Sequence, residues 1–150
     1  MSGQRENSPV EVKPEVVFLY EILQEFSRER IRIPRFQRPF VWRPDQMTDL
    51  LDSINRQYPI GSLLIWETDV AISTLDRLGP FVPTGASAGS IGYLLDGHQR
   101  LMTLASALLD GSAGLARSVE PVDGRWDMYW NYRTHRFQHR LRDEDSECLF

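Results

Sequence analysis

A strand passes directly into a helix within Leu94–Gly111, LLDGHQRLMTLASALLDG, and this junction constrains the fold more than any other stretch. The apolar run before Asp96 predicts a strand over Ile91–Leu95, and the helical periodicity after it predicts a helix over His98–Leu109. The turn between them gathers four polar side chains, those of Asp96, His98, Gln99 and Arg100. Such a cluster either caps the helix or holds a ligand.

Helical and strand patterns alternate along the rest of the chain. An apolar stripe predicts a helix over Val16–Arg28, a short strand follows at Arg30–Ile33, and Pro44 begins a second helix. The apolar run Ser62–Trp66 predicts a strand covered on both faces, and the turn Asn131–His135 predicts a C-terminal β-hairpin. We therefore expect an α+β domain in which helices pack on a mixed sheet.

Length and composition limit the organisation of the chain. Its 150 residues suit one domain. We expect that domain over 15–142, after a flexible polar segment over 1–14 and before an acidic tail over 143–150. The single cysteine, Cys148, excludes a disulfide framework and favours a cytoplasmic location. The sequence contains no membrane-spanning apolar run and no GxxxxGK[ST] motif, so membrane proteins and P-loop NTPases are excluded.

Positive charge is concentrated in one segment, although the whole chain carries −4 at pH 7. Between Arg28 and Arg43, six arginines accompany one acid, so this segment is net +5 and the rest of the chain is net −9. An arginine-rich loop with interleaved aromatics is typical of phosphate contact combined with base stacking. In the alternative interpretation, Phe36, Phe40 and Trp42 anchor the loop to the core while its arginines are merely solvated.

The turn DGHQR admits a structural and a functional interpretation. As structure, Asp96 is the helix N-cap and Gln99 completes a capping box, with His98 and Arg100 on the surface. As a ligand site, the helix N–H groups attract phosphate, Gly97 lets the backbone approach closely, and Arg100 adds a bidentate donor. Asp96 would then bind the Mg²⁺ that accompanies a nucleotide. The spacing alone leaves both interpretations open.

Histidines in the predicted hairpin raise the question of a metal site. His135 and His139 could share one face of a strand near Asn131. No carboxylate or cysteine lies at a usual ligand spacing from them. We therefore predict surface histidines in this hairpin rather than a metal centre.

Two motifs, taken in order, resemble a known family. IPRFQRPFVW (Ile33–Trp42), a helix, the strand GSLLIW and LLDGHQRLMTL (Leu94–Leu104) together resemble the N-terminal domain of GmrSD-type restriction proteins. The family pattern reads IPxYQRxYxW and, later in the chain, DGQQRLTTL. The resemblance covers about Phe18–Gln138, and it departs where Phe36 replaces a tyrosine and His98 replaces a glutamine.

This resemblance implies a ParB/sulfiredoxin-like fold, in which a strand–Gly-x-x-Arg–helix turn binds nucleotide phosphate. It also implies a nucleotide-binding and NTP-hydrolysing sensor module of prokaryotic defence against modified or phage DNA, working with Mg²⁺. Its implied catalytic residues are Asp96 and Arg100, and Asp96 is also the implied metal ligand. The candidate nucleotide-binding residues are Asp96, Gly97, His98, Gln99, Arg100, Arg35, Gln37 and Arg38. The candidate DNA-binding residues are Arg32, Arg35, Gln37, Arg38 and Arg43.

Three functions are compatible with these motifs. The first is an NTPase sensor module, the second is a non-catalytic module that senses DNA through the RFQR loop, and the third is a ParB-like nicking nuclease. The first two are favoured because Asp96 is the one carboxylate at the turn, and metal nucleases usually need more than one. Family members continue into a helical region and often an HNH nuclease domain. We therefore expect a nuclease domain or subunit as a partner, and this chain to be a piece of a longer protein or a small protein that works with a separate nuclease.

Overall fold

The computed structural model describes residues 12–85, 90–109, 115–118 and 123–139, and the backbone of 148–149. Its helices and strands in chain order are α1 (Leu19–Ser27), β1 (Ile31–Arg32), α2 (Pro44–Asn55), β2 (Leu64–Glu67), β3 (Phe81–Val82), β4 (Gly92–Asp96), α3 (His98–Leu108), β5 (Ala116–Arg117), a 3₁₀ turn (Gly124–Trp126), β6 (Met128–Asn131), β7 (Arg136–His139) and β8 (Cys148–Leu149). Three helices with small sheets confirm the predicted α+β class. The ParB/sulfiredoxin-like assignment stays a prediction.

A three-stranded sheet in the order β1-β4-β2 positions the turn that precedes α3. β1 runs parallel to β4 and β2 runs antiparallel to it, which confirms the mixed sheet. The prediction that the Ser62–Trp66 strand is covered on both faces is wrong, because β2, which is also an edge strand, leaves one of its faces exposed. Leu64 and Trp66 point to one exposed face, whereas Leu63 and Ile65 pack against the core.

The core lies between this sheet and the three helices. α1 contributes Leu23 and Phe26, and α2, which begins at Pro44 as predicted, contributes its own buried face. α3 is buried on most sides, including the polar side chain of Thr103, whose hydroxyl donates to the Gln99 carbonyl at 2.9 Å. A polar group is tolerated at such depth because its hydrogen bond is formed within the helix.

The predicted C-terminal hairpin is confirmed as β6 paired antiparallel with β7. The Asn131 side-chain oxygen accepts the backbone N–H groups of Arg133 and Thr134, both at 3.0 Å, and so fixes the turn. The hairpin is attached to α2 by the Phe137 N–H, which donates to Asp52 at 2.8 Å. β8 pairs with the other edge of β6. The parts of the chain that lie outside the described residues include the rest of the predicted acidic tail, the predicted N-terminal segment up to residue 11, and residues 86–89.

Candidate functional site

Gly97 forms the junction between β4 and α3, and its geometry can be met only by glycine. Its φ is +96°, and a Cβ at this position would lie 2.2 Å from Leu63 Cδ2. Gly97 is also the N-cap of α3, and no side chain caps that helix. The predicted capping box of Asp96 and Gln99 is therefore wrong. Asp96 is still part of the strand, so the helix starts one residue later than that motif requires.

Two glutamines, both candidates for nucleotide contact, join the RFQR loop to the turn. Gln37 donates its side-chain amide to the carbonyls of Leu94 and Leu95, at 3.2 and 2.8 Å. Gln99 is buried, and its side-chain oxygen accepts the N–H groups of Val41 and Trp42 at 2.8 and 3.1 Å. The Gln99 amide nitrogen donates to the Pro39 carbonyl at 3.1 Å. Both amides thus hold the loop against the end of β4.

Arg100 is engaged by the segment before β2. Its guanidinium donates to the Ile60 carbonyl at 3.1 Å and to the Ser62 carbonyl at 2.7 Å. It also lies 3.2 Å from the Asp96 carboxylate, which is 72% exposed. Gly61, whose φ is +86°, leaves room for this contact because it has no side chain, and a Cβ there would overlap Arg100. Arg100 therefore fixes the local structure, while Asp96 keeps most of its carboxylate in solvent.

His98 occupies the first helical position of α3 and is 6% exposed, contrary to the surface position expected under the structural interpretation. Its Nδ1 is buried and has no hydrogen-bond partner among the described residues. The pKa of His98 is lowered from its ordinary 6.5, mainly by burial. A hydrogen bond to the Arg38 backbone raises this pKa, and the positive charge of Arg38 lowers it. The ring is therefore neutral near pH 7. The His98 ring stands nearly perpendicular to that of Phe40, with 6.5 Å between ring centroids.

These residues surround a cavity of about 130 Å³. The cavity is lined by Gln37, Arg38, Trp42, Asp96, Gly97, His98, Gln99 and Arg100. All the candidate nucleotide-binding residues except Arg35 thus lie together. Trp42 was not among the sequence candidates, although its place in the first motif could have indicated it. The exposed Arg38 guanidinium makes no hydrogen bond or ion pair with the described residues.

The other arginines of the loop are already paired. Arg32 donates to the Glu29 carbonyl at 3.2 Å. Arg35 donates to the Thr74 carbonyl at 3.0 Å and forms an ion pair with Asp76. The remaining pairs are Arg28 and Arg30 with Glu25, and Arg43 with Asp45. Much of the positive charge that the sequence concentrates in this segment is therefore balanced locally.

Metal ligands are sparse in the described part of the chain, where no three His, Cys, Asp or Glu side chains form a group. Asp96 alone could hold Mg²⁺, in the manner of sites that use one carboxylate, waters and the phosphates of a nucleotide. Of the hairpin histidines, His135 is exposed in the turn with φ +52° and its ring lies 6.1 Å from that of Trp130, whereas His139 contacts the Gly124 carbonyl at 2.7 Å. In the same described part, no helix is long and apolar enough to cross a membrane.

The order of the two motifs and their convergence on one cavity agree with the comparison to protein families. The model for the GmrSD restriction endonuclease N-terminal domain matches residues 19–150. The chain belongs to this family. It is thus a module of the restriction and defence type. The same comparisons returned no curated protein and no solved structure that matches this GmrSD-type domain.

Proposed function

We propose that this GmrSD-type domain binds a nucleoside triphosphate, with its phosphates at the start of α3, and hydrolyses it. The observation that carries the proposal is the N-terminus of α3, which no side chain caps, beside the Arg38 guanidinium, which has no partner in the part of the chain that the structure describes. The first N–H groups of a helix and its dipole attract anions, and a guanidinium adds a charge-assisted donor. His98 in the cavity lining gives a second indication of a ligand, because its Nδ1 is buried and no described residue bonds to it.

The size of the cavity indicates which part of a nucleotide it would take. Its volume of about 130 Å³ is well below the roughly 300 Å³ at which pockets for whole small molecules begin. We therefore assign the phosphate end to the cavity and the sugar and base to the surface outside it. Gly97 has no side chain between the helix and the phosphate, so the N–H groups can approach it directly.

Hydrolysis would use two further groups of the chain. Mg²⁺ carried by the nucleotide would neutralise phosphate charge, and Asp96 is the residue that would hold it. His98 supplies a hydrogen-bond acceptor, since the ring that donates to the Arg38 backbone leaves Nδ1 with a free lone pair. A water bonded to Nδ1 would be oriented beside the phosphate. Arg100 would act mainly by fixing the turn, in contrast to the catalytic role that the resemblance implies.

The experiment is a thermal-shift series with ATP, GTP, CTP and UTP in the presence of Mg²⁺, followed by measurement of phosphate release. A nucleotide that binds the native state raises Tm with its concentration. We expect Asp96→Asn to keep the stability of the parent, because Asp96 is not a cap, and to lose most phosphate release. Asp69→Asn, an exposed residue outside the cavity lining, is the matched control. Equal phosphate release by the parent and Asp96→Asn would contradict the metal role.

DNA is a second candidate partner, supported by the restriction-endonuclease description of the family. With respect to the described residues, Arg38 is the arginine of the loop whose guanidinium is left without a partner and so is open to DNA. Each lost phosphate contact lowers the salt slope of DNA binding by about one unit. Fluorescence anisotropy with modified and unmodified duplexes would compare the parent, Arg38→Ala and Gln37→Ala across a salt series. Absence of binding by the parent at low salt would contradict this candidate for the domain alone.

A further inference from the structure

Phe36 is an exposed aromatic residue in the loop that borders the phosphate cavity. The expectation that Phe36, Phe40 and Trp42 all anchor the loop is wrong for Phe36, whose exposed fraction is 66%. Phe40 and Trp42 pack against the core, and the Phe40 ring lies 4.5 Å from that of Trp126. The loop is therefore anchored without Phe36, and the Phe36 ring is left accessible to a ligand.

The backbone on both sides of Phe36 is held in place. The N–H of Arg35 donates to the Ser73 carbonyl at 2.9 Å, and the N–H of Gln37 donates to the Pro34 carbonyl at 3.1 Å. The Gln37 side chain is attached to β4 at the Leu95 carbonyl, at 2.8 Å. A ring presented by such a loop loses little conformational entropy when a flat group binds to it.

The position of Phe36 suits the part of a nucleotide that the cavity cannot contain. Gln37 and Arg38, the next two residues, line the cavity. A nucleotide whose phosphates occupy the cavity must leave its sugar and base on the surface around this rim. Nucleobases stack on exposed aromatic rings, and this contact tolerates any base because every base has a π-face.

We propose that Phe36 is the platform on which the base of the bound nucleotide stacks, which rests on the phosphate site proposed above. Phe36 then adds affinity for nucleotides over inorganic phosphates. It does not by itself select one base. Selection among bases would need hydrogen bonds from other groups.

Isothermal titration calorimetry in the presence of Mg²⁺ would compare the affinity for inorganic triphosphate with that for the tightest binder among ATP, GTP, CTP and UTP. We expect Phe36→Ala to weaken nucleotide binding roughly five- to hundredfold, as stacking contacts do, and to leave triphosphate binding unchanged. Phe36→Tyr should keep the parental affinity because it keeps the ring. Val41→Ala, another exposed apolar residue of the loop, should leave both affinities unchanged.

Three outcomes would overturn the stacking role. Nucleotide affinity of Phe36→Ala within twofold of the parent is one, and an equal loss for triphosphate and nucleotide is another. The third is a parent protein that binds triphosphate as tightly as the nucleotide. A parent that binds neither ligand contradicts the phosphate site as well, and this result separates failure of the proposed function from failure of the Phe36 role alone.

Discussion

The side-chain oxygen of Gln99 accepts the backbone N–H of Val41 at 2.8 Å, and this bond joins the two sequence motifs. The motifs lie more than fifty residues apart, and their hydrogen-bonded residues are 58 positions apart in the chain. Gln99 thus lies in the turn that opens α3, and its side chain holds the RFQR loop in place.

Substitution of Gln99 tests this supporting role. We expect Gln99→Ala to lower the free energy of unfolding by about 1–3 kcal/mol, because it leaves backbone groups of the loop without partners. Gln46→Ala is the control, since Gln46 is exposed and accepts one bond from the Arg43 N–H. Urea denaturation would compare the two variants. A loss for Gln99→Ala no larger than that for Gln46→Ala would contradict the role.

A second prediction concerns the steric requirement at Gly97. Gly97→Ala combines a positive φ with a close approach to Leu63, whereas Gly85→Ala has a positive φ of +77° and nothing within 4 Å of its Cβ. We expect Gly85→Ala to cost about 1–2 kcal/mol for its backbone conformation and Gly97→Ala to cost more. Adding Leu63→Ala to Gly97→Ala should cost less than the sum of the single changes. Equal costs for the two alanine variants in chemical denaturation would show that contact with Leu63 is unimportant.

A third prediction separates structure from ligand contact at Arg100. Arg100→Ala should lower the free energy of unfolding by about 1.5–3 kcal/mol, because the guanidinium bonds two backbone carbonyls. The exposed ion pair with Asp96 adds little to this value. Arg100→Lys should recover only part of the loss, since one ammonium cannot reproduce the planar fork. The exposed Arg56→Ala serves as the control, and a Tm for Arg100→Ala equal to that of Arg56→Ala would refute the prediction.

The lowered pKa of His98 predicts a pH dependence of stability for the protein without metal or nucleotide. The folded pKa lies below the unfolded value, so the contribution of neutral His98 is complete above about pH 6.5 and is lost as the pH falls through the folded pKa. Between pH 7.5 and 5, the parent in EDTA should therefore lose more Tm than His98→Gln. His135→Asn removes an exposed histidine and should follow the parent. Parallel Tm curves for the parent and His98→Gln would show that burial of His98 has no such effect.

Local patterns in the sequence predicted the helices, the hairpin and the strand–turn–helix junction. The start of α2 follows from Pro44, and the turn follows from Gly97, because each residue restricts or frees its own backbone. The exposure of β2 could not be predicted in this way, since its apolar run resembles a buried strand. Its place in the sheet is decided by pairing with β4, which lies far along the chain: Leu64 pairs with Asp96, 32 positions away.

The sequence identified the members of the site better than it predicted their roles. It predicted a polar turn that binds phosphate. It could not show that Gln99 and Arg100 form hydrogen bonds with backbone groups of distant segments. The positive charge that the arginine cluster offers a ligand was overestimated for the same reason. Asp76, which pairs with Arg35, lies 41 residues away in the chain. The unpaired state of Arg38 appears only once these long-range partners are known.

Isothermal titration of the Mg²⁺ nucleotide to Arg38→Ala tests the central claim, that phosphate binds between this guanidinium and the start of α3. Arg38→Ala should keep the parental Tm, because the Arg38 side chain makes no hydrogen bond or ion pair with the described residues and the substitution keeps the backbone group that bonds His98. Its affinity should fall about tenfold or more, as expected for a lost charge-assisted bond. Arg43→Ala, whose side chain pairs with Asp45 outside the cavity lining, should stay within twofold of the parent. Nucleotide affinity of Arg38→Ala equal to that of the parent, or a parent that binds no nucleotide, would contradict the account.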